Sequence, residues 1–317
     1  MRGLFLFVGD GVPDVPNLFI KDLHSKFLFH LIFLFCYDKI CFMDKMKIKR
    51  IVSALLAATL LFSASACSVR NPLKQTETQS TTSNVVRVTF PEGSTITQIA
   101  QKLEENGVCS AAEFISAAND PLNLEGFGFE IPNPDERAFL LEGYVFPDTY
   151  EFYRNESAVS ALKRFLKNSE AKFTDEIRAR CAELGYTLDE ILTLASIIQE
   201  EAGDPNEMYK VSSVLHNRLG SSRFPRLQCD VATFYLRDYV KPHVTEERYN
   251  ELVELYNTYH CSGLPAGPIT NSGIDAVKAA LYPAETDYYY FITDGEGEYH
   301  YAETWAEHVE NCDAAGI

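Results

Sequence analysis

The sequence predicts an α+β fold, a small strand–helix–helix unit followed by a helix-rich mixed domain, and three patterns predict it. Residues 85–90 (VVRVTF) alternate like a strand. After Pro91-Glu92-Gly93 the apolar positions Ile96, Ile99, Ala100 and Leu103 recur at the 3.6-residue period of a helix. Long helical runs fill 158–219, and the Tyr-rich stretch 288–302 returns to strand pattern around the turn Asp294-Gly295-Glu296-Gly297. With 317 residues, 46% hydrophobic and 23% charged, the chain has room for one large or two modest domains.

Residues 1–42 hold eight of the 21 Phe but no sustained periodicity, and read as extraneous to the rest. Residues 43–66 follow the pattern of an export signal: Lys45, Lys47, Lys49 and Arg50, an apolar run 51–62, then Ser63-Ala64-Ser65-Ala66 before Cys67. The expected start is therefore Met43 or Met46. Small residues ahead of a cysteine resemble a bacterial lipoprotein processing site, with Cys67 as the lipidated first mature residue; Ala64 stands where Leu is usual. An uncleaved anchor and a plain cleaved signal are the other readings, the run at 51–66 being shorter than the roughly 20 residues of a typical span. All three place the body at the cell membrane, on its extracytoplasmic face, or beyond it.

Residues 67–84 are polar, rich in Ser, Thr and Asn, and form a flexible linker. The unit 85–130 holds the strand, a helix capped by Ser94 and ending near Asn106-Gly107, and a second helix at 111–118. The domain 131–317 opens with an extended stretch, 141–153. Helices at 158–184, 188–202 and 206–219 follow, then a helix at 274–281, strands at 288–293 and 299–302, and a last helix at 304–312.

The formal net charge is −17; the eight basic and five acidic side chains of residues 1–66 leave 20 basic and 40 acidic behind. Such acidity excludes a nucleic-acid partner, because phosphate affinity is supplied by Lys and Arg. The cysteines show no zinc-binding spacing and the histidines no paired one, so neither metal nor cofactor is expected. Five cysteines follow Cys67, an odd number, and no structural disulfide is predicted.

The helix 188–202 (LDEILTLASIIQEEA) is apolar through its middle and ends in Glu200 and Glu201. Helical spacing puts Glu201 on a face with Leu194, Ile197 and Ile198, and Glu200 on a face with Thr193, Ser196 and Ile197. A carboxyl on the greasier side feels desolvation and the negative end of the helix dipole, and both raise its pKa toward a range useful for donating a proton. The same spacing is compatible with a Glu201 that ends the helix in solvent or pairs with a base such as Arg218.

Seven segments carry a resemblance: 141–153, 195–203 (ASIIQEEAG), 214–219 (VLHNRL), 227–230 (LQCD), 256–259 (YNTY), 263–273 (GLPAGPITNSG) and 281–292 (LYPAETDYYYFI). Together they resemble the endolytic murein transglycosylases, the MltG/YceG-like family, over about 85–312. The resemblance implies a LysM-like module at 85–130 and a catalytic domain at 131–317. It implies membrane tethering, peptidoglycan glycan strands as substrate, and cell-wall synthases as candidate partners.

By resemblance, Glu201 is the catalytic acid, and Gln199 stands where the family often has an earlier Glu. Gln228, Asp230, Asn257 and Tyr259, each inside a matching motif, are candidate substrate contacts, although turn chemistry accounts for the same residues. The family's Asp-Pro-Thr is Asp230-Val231-Ala232 here, with Thr233 displaced. The implied reaction needs one carboxyl: Glu201 protonates the glycosidic oxygen, then takes the proton of the muramoyl 6-hydroxyl as it closes to a 1,6-anhydro end. Two other readings stay open. One is a non-catalytic peptidoglycan-binding lipoprotein. The other is a hydrolytic muramidase, which needs a second carboxylate such as Asp230 or Glu142.

Overall fold

The computed structural model describes residues 84–224 and 226–317, which belong to one compact unit. The export signal, Cys67 and the linker lie outside the described residues. β1 (Val85–Thr89) leads through the turn at 91–93 into α1 (Ile96–Glu105), and α2 (Ala111–Ala118) follows. Each helix starts on a reciprocal cap, Thr95 with Gln98 and Ser110 with Glu113. The first cap is Thr95 and not Ser94, whose hydroxyl instead donates to Pro91 O (2.6 Å).

β1 pairs antiparallel with β2 (Thr149–Tyr153), Val85 opposite Tyr153 and Thr89 opposite Thr149, so its partner strand lies beyond residue 130. Of the apolar stretch expected at 141–153, only this last part is strand. The inward side chains Phe90, Tyr150 and Phe152 meet one another and Phe165 of α3 (Ala158–Lys172), which also meets Phe114 of α2, with ring centroids 4.3 to 6.2 Å apart. Burying each ring contributes about 1.5–3 kcal/mol before the entropy of ordering is set against it.

The helix expected at 158–184 is two helices, α3 and α4 (Asp175–Leu184). Phe173 turns inward against Phe129 and Phe146, and Thr174 then caps α4 by accepting from Ile177 N–H. α5 (Leu188–Glu201) is the axis of the second half: every residue from Ile191 to Ile198 is buried. α6 (Pro205–Leu219) runs back along it. α7 (Asp230–Tyr235) and α8 (Glu246–Tyr256) lie where the sequence reading placed no element. α9 (Ile274–Leu281) packs on α5 and α6. β3 (Tyr290–Thr293) and β4 (Tyr299–Ala302) form an antiparallel pair, and α10 (Trp305–Ala315) closes the chain. Tyr144, Tyr150 and Tyr290 are core residues.

A buried ion pair, Arg137 with Asp189, ties the 130s loop to the start of α5, and Tyr144 donates to the same carboxylate (2.7 Å). Gly267 faces that guanidinium so closely that any Cβ there would collide with it. Among the described residues the five cysteines are free thiols, no group of His, Cys, Asp and Glu is placed to hold a metal, and no helix is long and apolar enough to cross a membrane.

Candidate active site

α5 delivers Glu201 to its own C-terminal end as a buried side chain, 5% exposed, while Glu200 beside it is exposed. No N–H or O–H donor meets either carboxyl oxygen of Glu201, and the weak donor beside it is the Cys229 thiol. Burial is the largest cause of its raised pKa, about 8; the negative charges of Asp230 and Glu200 add to the rise, and the nearby Cys229 thiol offsets part of it. At neutral pH Glu201 is therefore a neutral acid with a proton to give.

Two loops meet beside it. The first, 227–230, enters α7 with Asp230 as its first helical residue, and the second is the turn at 257–259 that follows α8. Fully buried Thr258 locks them together: its hydroxyl donates to Cys229 O and accepts from Cys229 N–H, both at 2.8 Å, while Gln228 N–H donates to Thr258 O (3.1 Å). This brings Asp230 and Tyr259 within hydrogen-bonding reach. The Tyr259 hydroxyl donates to the Asp230 carboxylate, and burial together with that negative charge pushes the phenol's pKa up. Cys229 is fully enclosed against Glu201, and its thiol is likewise pushed well up.

The other two sequence candidates serve the loops that carry these groups. Gln228 sits at φ 58°, a left-handed conformation uncommon for a residue with a side chain. Its amide oxygen accepts from Arg218 Nη2. Arg218, 1% exposed, also donates to Arg226 O (3.1 Å) and Tyr289 O (3.0 Å), so this buried cation organises the loop at 226–228 and is not the partner of Glu201. Asn257 Oδ1 accepts from Tyr259 N–H (2.9 Å), which shapes the turn that presents Tyr259.

A second buried carboxyl lies behind the site. Glu142, 0% exposed, accepts from Ile96 N–H at the head of α1 (2.9 Å), from Asn271 Nδ2 (2.7 Å) and from the hydroxyl of Tyr235 at the end of α7 (3.2 Å). Asn271 also donates to Ser94 O (2.9 Å) and accepts from Val145 N–H (2.9 Å). The turn at 91–94 is thereby fixed against the end of α5: Gly93, at φ 78°, lies where a Cβ would come within 2.6 Å of Glu200 Oε1. Gln199 Oε1 accepts from Gly273 N–H (2.9 Å), so this position is structural here. Sequence reasoning missed Thr258, Asn271 and Tyr235; the first two lie inside quoted motifs, and only their contacts reveal their task.

Fold and site together define a class: an α+β protein built on an enclosed helix that ends in an acid held protonated at neutral pH. The chain belongs to the YceG-like family, whose family model matches residues 45–314. It is 30% identical over 238 residues to the endolytic murein transglycosylase of Bacillus subtilis (strain 168), covering 73% of this chain and 65% of that protein. It is 26% identical over 249 residues to the endolytic murein transglycosylase of Streptococcus pneumoniae (strain D39), covering 71% of this chain and 43% of that one. The chain thus spans a little under two thirds of the first relative and less than half of the second. The crystal structure of a yceG-like protein from Listeria monocytogenes superposes with a TM-score of 0.62 at 29% identity, over 71% of this chain and 75% of that one.

Proposed function

We propose that this chain is an endolytic murein transglycosylase, a lyase that cuts the N-acetylmuramoyl–N-acetylglucosamine bond within peptidoglycan glycan strands and leaves 1,6-anhydro ends, limiting strand elongation. The observation that carries the reading is Glu201, enclosed, with only the Cys229 thiol to bond its carboxyl, and protonated up to about pH 8. Such a group gives its proton to the glycosidic oxygen as the bond breaks. The resulting carboxylate is badly solvated where it stands, so it takes the proton of the muramoyl 6-hydroxyl as that oxygen closes on the anomeric carbon. One residue serves as acid and then base, and no water is consumed. Asp230 and Tyr259, hydrogen-bonded to one another beside Glu201, contact the sugars that flank the bond, and Gln228 and Asn257 hold the loops that present them.

Hydrolysis is the second reading, and Asp230 is the observation that favours it, since its charge acts directly on Glu201 and could activate a water. Glu142 does not fit that part, because its carboxyl is already taken by three donors. In the cell the enzyme is tethered to the extracytoplasmic face of the membrane by a lipid on Cys67 or by an uncleaved anchor. The unit from 85 to 130 acts as a LysM-like glycan-binding part, and cell-wall synthases are its working partners.

The test is to incubate the protein and its Glu201→Gln variant with uncrosslinked glycan strands and read the new ends by mass spectrometry. Anhydro ends from the parent and none from the variant are expected. Reducing ends would turn the assignment to a hydrolase, and absence of cleavage by the parent would turn it to a glycan-binding protein.

A further inference from the structure

The last turn of α5 carries the acid but has no cap of the ordinary kind. Ala202 follows in extended conformation (φ −121°, ψ 117°), and no left-handed glycine folds back to satisfy the final carbonyls. The Glu201 carbonyl is satisfied from elsewhere: the hydroxyl of Tyr299, on β4 and 98 residues away in sequence, donates to it at 2.8 Å. The same oxygen accepts from Gly203 N–H at 3.4 Å and is bonded to Thr293 across the hairpin. The ring has little freedom, lying near-parallel to Phe291 and Tyr301 with centroids 6.4 and 6.3 Å away. Tyr301, two residues on, is tied to α6, where its hydroxyl donates to Glu207 Oε2 (2.7 Å).

The Glu201 carboxyl has no N–H or O–H donor to fix it, only the weak Cys229 thiol. Its place is set by packing and by the main chain it hangs from. We infer that Tyr299 is a positioning residue for the reaction: its hydroxyl, bonded to the main chain on both sides of Ala202, holds the end of α5 so that the Glu201 carboxyl stays aimed and dry. Without that hydroxyl the Glu201 carbonyl and the Gly203 amide must be met by water, which then stands one residue from the acid. Asp230 from the head of α7 and Glu200 from α5 act on Glu201 through their charges and the Cys229 thiol through a hydrogen bond, and all three are unchanged by the substitution. Tyr259, whose phenol feels Glu201 in turn, is also left as it is. This rests on the proposed role of Glu201.

The test compares Tyr299→Phe with Tyr301→Phe, each losing one hydroxyl from one strand and keeping its ring. Tyr299→Phe is expected to lower kcat on glycan strands on the order of tenfold with KM unchanged. It is also expected to move the alkaline limb of the kcat profile to lower pH, because a hydrated carboxyl ionises sooner. Tyr301→Phe is expected to lose thermal stability and keep both kcat and limb. The titration of Glu201, followed by 13C NMR of the carboxyl, gives the same comparison without turnover; its midpoint should fall in Tyr299→Phe only. If the wild type does not cleave glycan, the proposed function fails, and the titration still decides the role of Tyr299. Equal kcat profiles and equal midpoints in the wild type and Tyr299→Phe would overturn the inference and leave Tyr299 as packing.

Discussion

Glu142 and Glu201 are both buried carboxyls with pKa values raised chiefly by desolvation, yet they are opposite kinds of site. Glu142 stands where three elements converge, and each contributes a donor: the head of α1, the end of α7 and the Asn271 loop. Glu201 stands at the end of one helix and meets no N–H or O–H donor, only the weak Cys229 thiol. A buried polar group with its bonds made contributes to holding the fold; one with its bonds unmade costs stability. Burial is therefore common to the two carboxyls, and what separates them is how many donors each meets.

The largest expected effect separates the two directly. Glu201→Gln should lower the rate of strand cleavage by about three orders of magnitude, the span that general acid catalysis usually contributes, while the fold stays intact by circular dichroism. Next, Glu142→Leu should cost about 3 kcal/mol in urea unfolding, because it strands the Ile96 amide, the Asn271 amide group and the Tyr235 hydroxyl without an acceptor. If Glu142→Leu were as stable as the parent, the contrast between the two sites would collapse.

A pH series sharpens the same comparison. The folded pKa of Glu201, about 8, lies above its ordinary value, so the unfolded chain releases this proton first as pH rises from about 5. Stability from this group is full below its unfolded pKa and is lost as pH climbs through the folded one, by at most about 1.4 kcal/mol per pH unit. Glu201→Gln cannot ionise, so its stability advantage over the parent should grow between pH 5 and 8 and then level off, as read from unfolding midpoints in buffers across that range. The smallest pH shift is that of Asp230→Asn. Removing that charge lowers the Glu201 pKa, so the alkaline limb of activity should move down by less than one pH unit, measurable in a kcat profile.

Much of this is legible in the sequence. The helical period fixed which face of α5 Glu201 shares, and the strand and helix pattern of 85–118 emerged as read, because local caps and periodicity decide both. α8 escaped although Tyr249, Leu252, Val253 and Tyr256 follow helical spacing; its charged remainder concealed a stripe only four residues long. α7 is too short to show a period. The break at Phe173 depends on pockets offered by Phe129 and Phe146, which no local pattern contains. At the site, the helix pattern offered Glu201 as a carboxyl on the apolar side of α5, and its burial is what the structure adds. The parts played by Thr258, Arg218 and Tyr299 were not legible, because each acts by meeting a main-chain group far away in sequence.

The pairing of β1 with β2, and of the turn at 91–96 with Glu142 and Asn271, also sets an order in time. Ser94 finds its side-chain donor 177 residues later in the chain, and Ile96 N–H waits 46 residues for its acceptor. Contacts that span so much sequence are closed only after the loop entropy between them has been met, which delays them relative to helices such as α5. The turn at 94–96 is thus among the last parts to be secured, and a nascent chain released before residue 271 would lack the amide that ties Ser94 O to Glu142.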